Sequence, residues 1–274
     1  MKNICAQCVG INVNKVLTVD NKNKSEWLQK VDYIGNFINS KTPTLYRQKK
    51  TDSRMTVNVG KSMANRFVLY FCAKSSDNTK IRIAKSAYGN FSNHGISKVD
   101  NLGNVTFYFN CPQIYSEIEK RNRESFYRHV HFCISDINKV RWLKKMYTKV
   151  FVCNISLQET KKKLKEGKTV VINALPAESY AMEHIPNSYS LPVKMAKSLQ
   201  TKDLYDWFSV VIQKNYKKIY KMLNTEKINL YEIPIVVYCA HSKCNASDRL
   251  VKELLKKGFV NIKEFKGGIK EWNR

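Results

Sequence analysis

The sequence predicts a multidomain protein with an all-β, sandwich-like N-terminal domain and an α/β C-terminal domain that contains a parallel sheet. Between residues 46 and 154, short apolar or alternating segments are separated by Gly- and Asn-rich turns, a pattern typical of β-sandwiches and barrels. From residue 155 onward, strand patterns alternate with helix patterns, which favours parallel strands joined by helices. The change of pattern divides the chain into an N-terminal arm (1–45), a β domain (46–154) and an α/β domain (155–274).

Composition is that of a globular protein. Apolar residues make up 43% and aromatic residues 11% of the 274 residues, enough for a sizeable core. No apolar run approaches the roughly 18 residues of a membrane-spanning helix, and the first residues lack the apolar segment of a secretion signal. We therefore expect no membrane span.

The chain is strongly basic. It has 48 Lys and Arg residues against 22 Asp and Glu residues, a formal net charge of +26. Such a surface binds polyanions by counterion release, which makes an acidic protein or a nucleic acid a plausible partner. The alternative is the lysine-rich composition that accompanies an AT-rich genome, and no nucleic-acid-binding motif is recognisable.

Eight cysteines are spread irregularly along the chain, which does not fit a disulfide scaffold. We expect mostly free thiols in the cytoplasm or another reducing compartment. Cys5 and Cys8 have the spacing of a zinc knuckle, so zinc is a candidate cofactor. We expect no cofactor to be required. His129 and His131 alternate on a predicted strand and share a face, so they are further candidate ligands. Buried, hydrogen-bonded histidines are the alternative.

The elements follow in order. In the arm, Glu26–Ile38 has apolar residues at helical spacing. The β domain has predicted strands at Met55–Val59, Arg66–Cys72, Ile81–Ala84, Val105–Phe109, His129–Cys133 and Val150–Cys153, with Ile114–Arg128 as a polar excursion. The α/β domain has predicted strands at Thr169–Ala174, Pro234–Cys239 and Val260–Phe265, and helices at 156–166, 177–183, 194–224 and 247–257. Ser156 and Glu159 have capping-box spacing.

Cys239 is the candidate catalytic residue. It ends a buried strand and precedes a helix, where the helix dipole and free backbone N–H groups favour a thiolate. The candidate active-site loop comprises Ala240, His241, Ser242, Lys243, Cys244 and Asn245, and we expect Lys243 and His241 to favour the thiolate further. Cys244 is a candidate resolving thiol. The alternative for Cys239 is a buried, inert cysteine at a strand end. The alternative for Cys244 is a small residue packed under the loop.

Residues 155–274 resemble the rhodanese-homology domain. The order of motifs carries the resemblance: Glu178-Ser-Tyr180, His184-Ile-Pro186, Leu191-Pro192, Tyr238-Cys239, Gly258-Phe259, and Gly267-Gly268 with Trp272. The resemblance implies a small doubly wound parallel sheet, with Cys239 as the cysteine that carries a persulfide held by loop amides. Relatives with a longer loop act on phosphate esters, and many others are inactive interaction modules.

The sequence departs from the family pattern at three places. Asn173-Ala174-Leu175 stands where the family has Asp-Val-Arg. Ser242 and Cys244 replace a glycine and a basic or hydroxyl residue of the loop. The span from Cys239 to Gly258 is longer than the common spacing.

Two functions are compatible with these features. In the first, the protein is a sulfurtransferase that passes sulfane sulfur from a donor to a thiol or other acceptor through a Cys239 persulfide. In the second, the rhodanese-like domain is a catalytically silent module of a basic structural or assembly protein. The basic, AT-rich-like composition would suit the particle of a large DNA virus, in which that module would bind acidic partners or nucleic acid.

Overall fold

The computed structural model describes residues 17–19, 32–76, 82–119 and 122–274. The chain divides into two compact units, Met1–Phe151 and Val152–Arg274. Cys5 and Cys8 lie outside the described residues, as does the first part of the helix predicted at Glu26–Ile38. Helix α1, Asp32–Asn39, corresponds to the rest of that helix. The division into an arm and two domains stays a prediction.

The first unit is rich in antiparallel sheet, as predicted. Its strands are β1 (Leu17–Val19), β2 (Ser53–Asn58), β3 (Phe67–Cys72), β4 (Arg82–Ile83), β5 (His94–Lys98), β6 (Asn104–Phe109), β7 (Tyr115–Glu119), β8 (Asn122–Phe126), β9 (His129–Ser135) and β10 (Trp142–Val150), and α2 is Ala84–Tyr88. They form sheets in the orders β1-β10-β9-β3-β5, β2-β6 and β4-β7-β8. Because the strands are divided among three sheets, the sandwich arrangement stays a prediction.

Strand β9 lies at the centre of the five-stranded sheet, and all seven of its residues are buried. Aromatic rings pack the neighbouring sheet against it: the rings of Tyr70 and Phe107 stack 4.5 Å apart, and Phe107 contacts Phe132. The polar excursion expected at Ile114–Arg128 is instead the β7–β8 hairpin. Tyr115 and Phe126 are direct cross-strand partners whose rings stack at 5.0 Å, a contact that favours strand pairing.

The second unit has the predicted α/β fold. Its elements are β11 (Cys153–Asn154), α3 (Leu157–Glu166), β12 (Val170–Asn173), α4 (Ala177–Met182), β13 (Tyr189–Ser190), α5 (Val193–Ser198), α6 (Thr201–Asn215), α7 (Lys217–Asn224), β14 (Ile235–Tyr238), α8 (Ala246–Lys256), β15 (Ile262–Phe265) and α9 (Gly268–Trp272). All five strands are parallel, in the order β11-β15-β14-β12-β13. Strand β14 is in the middle, and its four residues are buried.

Local sequence signals explain these elements. The Ser156 hydroxyl accepts the Glu159 N–H and the Glu159 carboxylate accepts the Ser156 N–H, so the predicted capping box begins α3. Gly167 ends this helix in the left-handed conformation. The β-branched run of β14 is buried on both faces, as expected of a central parallel strand. In the described part of the chain, no helix has the length and apolar character needed to cross a membrane.

Candidate active site

Cys239 directly follows β14, at the carboxyl end of the central strand. In open α/β sheets this edge is where ligands bind. The Cys239 side chain is fully buried, Cys244 is half-buried, and His241, Ser242 and Lys243 are exposed at the tip of the loop. The loop thus connects a buried thiol to the surface over a few residues.

Backbone hydrogen bonds fix the base and the tip of this loop. The Cys244 N–H donates to the His241 carbonyl at 2.9 Å and closes the tip. The N–H groups of Ile269 and Lys270 donate to the carbonyls of Cys239 and Ala240 at 3.1 and 2.9 Å. The start of α9 therefore holds the residue that carries the candidate nucleophile.

Gly268 makes this approach of α9 possible. Its φ is +62°, and a Cβ atom there would lie 2.2 Å from the Cys239 carbonyl oxygen, far inside contact distance. Only glycine combines this backbone conformation with such a close approach. The glycine pair in the sequence is thus explained by the position of the loop.

The Cys239 sulfur lies among polar groups. The Ser247 Oγ is 3.2 Å away, the carbonyl oxygens of Cys244 and His241 are 3.5 and 3.8 Å away, and the Ser247 N–H donates to the sulfur. Burial raises the pKa of the Cys239 thiol. The Ser247 bonds lower it, and the bond to the Cys244 sulfur raises it. The net effect is a raised pKa, so this thiol is held mainly as S–H in the resting site.

Ser247 links the thiol to a buried carboxylate. Its hydroxyl donates to Oε1 of Glu264 at 2.7 Å, and Glu264 is only 6% exposed. Burial raises the pKa of Glu264, although the Ser247 bond and the charge of Lys266 oppose the shift. Sulfur, hydroxyl and carboxylate therefore form one hydrogen-bonded chain.

Sequence reasoning missed this chain. Neither Ser247 nor Glu264 was among the predicted site residues. The sequence signal was weak, because two of the four residues of β15, Lys263 and Glu264, are charged, and it is the parallel pairing of Val237 with Glu264 that brings the carboxylate beside β14. Asn245 does occupy the N-cap position of α8, but its side chain makes no capping hydrogen bond.

Cys244 has the opposite tendency to Cys239. Burial works to raise its pKa, but N–H groups of Ala246 and Ala240, the Cys239 thiol and the charge of Arg249 outweigh it, so the pKa is lowered. The interaction between the two thiols raises the pKa of Cys239 and lowers that of Cys244, so a single negative charge on the pair lies mainly on Cys244. The side chains of His241 and Lys243 are exposed. Their expected stabilisation of the Cys239 thiolate stays a prediction.

Asn173, in the position of the family's aspartate, keeps one function of a carboxylate. It is fully buried at the end of β12, and its Oδ1 accepts the Leu175 N–H at 2.7 Å. An amide oxygen closes this turn as a carboxylate oxygen would, but it brings no negative charge. The departure in sequence therefore preserves the turn and removes a charge.

The other predicted ligands lie in the first unit or outside the described residues. His129 and His131 are both buried on β9, with their Nε2 atoms 3.1 Å apart. Burial lowers the pKa of both, that of His129 to about 4, so both rings are neutral near pH 7. Among the described residues, no group of three or more His, Cys, Asp or Glu side chains could hold a metal. Cys72, Cys133, Cys239 and Cys244 are free thiols, whereas Cys111 and Cys153 are disulfide-bonded.

Solved structures similar to the chain cover its C-terminal part. The human single-domain sulfurtransferase TSTD1 is 17% identical, with 45% of this chain and 96% of that chain covered and a TM-score of 0.32. The Saccharomyces cerevisiae single-domain sulfurtransferase RDL2 is 15% identical, with 45% and 89% covered and a TM-score of 0.33. A Bacillus halodurans protein is 22% identical, with 44% and 71% covered and a TM-score of 0.31.

A family model decides the assignment. The model of the rhodanese-like domain matches residues 156–274, which lie within the second compact unit. The match includes the β14 strand end, the Cys239 loop and the Gly267-Gly268 pair. Residues 156–274 of this chain are a rhodanese-like domain.

Proposed function

We propose that the rhodanese-like domain is a sulfurtransferase and that Cys239 carries the transferred sulfur. The observation that supports the proposal most is the surroundings of the Cys239 sulfur. A buried thiol at a strand end contacts the N–H and the hydroxyl of Ser247, at the start of α8, and a second thiol in the loop before it. Because the Ser247 hydroxyl donates its hydrogen to Glu264, the Ser247 N–H is the donor that stabilises a sulfur anion here.

The reaction consists of two displacements. The Cys239 thiolate attacks the outer sulfur of a sulfane donor such as thiosulfate. A new S–S bond forms to Cys239 as the donor's S–S bond breaks, and the electron pair leaves with sulfite. A nucleophilic acceptor, cyanide in an assay or a thiol, then attacks the outer sulfur of the persulfide. The acceptor keeps that sulfur, and the Cys239 thiolate is regenerated.

Cys244 supplies the acceptor for the Cys239 proton. The lowered pKa of Cys244 places the negative charge of the pair mainly on that sulfur, and transfer of the Cys239 proton to it produces the Cys239 thiolate and a neutral Cys244 thiol. The Ser247 N–H then holds the charge that remains. The protonation state of Cys244 thus controls when Cys239 ionises, and Cys244 lies on the more exposed side of the pair.

The contact between the two thiols favours a second, related function. Once Cys239 carries a persulfide, the Cys244 thiolate can attack the Cys239 sulfur. A Cys239–Cys244 disulfide then forms, and hydrosulfide leaves with the electron pair of the broken persulfide bond. A thiol reductant must reduce the disulfide before the next turnover. In this version the protein releases hydrosulfide in place of passing sulfur to an acceptor.

The proposal is tested by thiosulfate-to-cyanide transfer with the full-length protein. We expect thiocyanate formation by wild type and a loss of at least about 1,000-fold in Cys239→Ala. Cys133→Ala is the matched control, because Cys133 is also a buried free cysteine but lies on β9 of the first unit. Equal rates in wild type and Cys239→Ala would contradict the proposal. No transfer by either would favour the silent module with acidic or nucleic-acid partners.

A further inference from the structure

A second polar cluster lies in the first unit, and the thiol chemistry does not use it. It surrounds His129 and His131 on β9 and includes Tyr88, the last residue of α2, and Tyr115, the first residue of β7. The imidazoles are 3% and 2% exposed, and each tyrosine is 1% exposed. Four polar ring groups are thus enclosed together in a sheet core.

His129 has more polar neighbours than one ring nitrogen can satisfy. Its Nδ1 is 2.6 Å from the Tyr127 carbonyl oxygen, which can only accept, so Nδ1 carries the hydrogen and Nε2 has the lone pair. That single lone pair faces the Tyr115 hydroxyl at 3.1 Å, the His131 Nε2 at 3.1 Å and the Tyr88 hydroxyl at 3.2 Å. One lone pair accepts one good hydrogen bond, but a small cation could bind all four atoms at once.

Both imidazoles are oriented as metal ligands are. The Nδ1 of His131 is 2.7 Å from the Thr148 Oγ1, so each ring is held through Nδ1 and directs Nε2 toward the other. Metal-bound histidines characteristically use the second ring nitrogen in this way. Tetrahedral coordination with bonds of about 2.0–2.1 Å would separate neighbouring ligand atoms by about 3.3 Å, close to the 3.1–3.2 Å that separate the His129 Nε2 from each of the other three atoms.

We propose that Nε2 of His129 and His131 and the phenolic oxygens of Tyr88 and Tyr115 form a site for a divalent first-row transition ion such as Zn²⁺. Two phenolates balance the charge of the ion, and the two phenol protons leave to solvent when it binds. Because all four ligands are buried and four protein ligands leave no open position on a zinc ion, the role is structural. The ion would connect α2 and β7 to the central strand β9.

Bound metal in the full-length protein provides the test. We expect one Zn²⁺ per chain after purification from zinc-supplemented cells and desalting, and the intense visible bands of four-coordinate Co²⁺ after growth in cobalt. The double variant Tyr88→Phe/Tyr115→Phe keeps both rings and removes both oxygens, so its affinity should fall at least about 100-fold. Thr148→Val should weaken binding by about 10- to 100-fold, because it releases one imidazole from its orientation.

Two controls distinguish this site from the Cys5–Cys8 pair and from a general effect of losing a buried phenol. Tyr70→Phe removes a buried phenol from neighbouring β3 and should retain the metal. Cys5→Ser/Cys8→Ser should also retain it, and loss in this variant would overturn the proposal by assigning the ion to the cysteines. A metal-free wild type, or full retention in the double tyrosine variant, would overturn it as well. If circular dichroism shows that the double variant is unfolded, Tyr88→Phe alone is measured.

Discussion

Backbone groups and one hydroxyl hold Cys239, whereas side chains from three elements surround His129. In the second unit, the thiol depends on the Ser247 N–H and on a loop fixed by the amides of α9. In the first unit, two imidazoles and two phenols converge with little help from the backbone. A backbone-built site should be most sensitive to changes in chain geometry, and a side-chain-built site to the loss of single atoms.

The largest effect is expected where the loop backbone contacts α9. Gly268→Ala should destabilise the protein by about 3 kcal/mol, because alanine would have to adopt a positive φ and its Cβ would overlap the Cys239 carbonyl. Gly167→Ala is the matched control. It has nearly the same φ, +64°, but nothing within 4 Å of the added atom, so about 1 kcal/mol is expected. Urea unfolding measures both variants. Equal losses of unfolding free energy in the two variants would show that the loop tolerates the overlap and that the contact with the α9 backbone does not fix the loop.

The next effect concerns the one side-chain component of the thiol site. Ser247→Ala should cost about 2 kcal/mol at pH 7, because the buried Glu264 carboxylate loses its donor. In the Glu264→Gln background the same change should cost less. The double-mutant cycle in urea therefore measures their coupling. Additive losses would mean that the chain from sulfur to carboxylate is not energetically connected.

The pH dependence of Glu264→Gln tests the same carboxylate. Burial raises the folded-state pKa of Glu264, so its ionised form destabilises the folded protein above that pKa, and the penalty disappears below the unfolded-state pKa. Glu264→Gln should therefore be more stable than wild type at neutral pH, with the difference shrinking as the pH falls. The exposed Glu178→Gln should show no such trend. A stability difference between Glu264→Gln and wild type that grows as the pH falls would contradict the prediction.

The smallest effect is expected at the second thiol. Cys244→Ser removes a neighbour that raises the pKa of the Cys239 thiol, so alkylation of Cys239 by iodoacetamide should occur at a lower pH. Ser242→Ala, at the exposed tip of the same loop, is the control and should leave the profile unchanged. An unchanged profile in Cys244→Ser would show that Cys239 ionises without its neighbour.

The two sites also differ in how much of them the sequence could predict. The Cys239 site follows from local order, because an apolar run, a cysteine and a helix cap occupy about fifteen consecutive residues and the strand-to-helix turn fixes their geometry. Glu264 could not be placed in the same way. It reaches Ser247 through the register of β14 and β15, which the spacing of residues does not encode.

The first unit shows the same limit more strongly. Alternation placed His129 and His131 on one face, but Tyr88 is 41 and Tyr115 is 14 residues away from His129 in sequence. Cation placement was also hard to predict. Lys243 and His241 are close to Cys239 in sequence yet are exposed, while the charge of Arg249 acts on Cys244. Proximity along the loop therefore does not determine which charge acts on a thiol.

The most direct measurement asks which thiol carries sulfur. Full-length protein is incubated with thiosulfate, and intact mass and peptide mapping locate any added sulfur atom. We predict one added sulfur on Cys239 in wild type and in Cys244→Ser, and none in Cys239→Ala. Sulfur on Cys244, or the same added mass in Cys239→Ala, would contradict the assignment of Cys239 as the sulfur carrier.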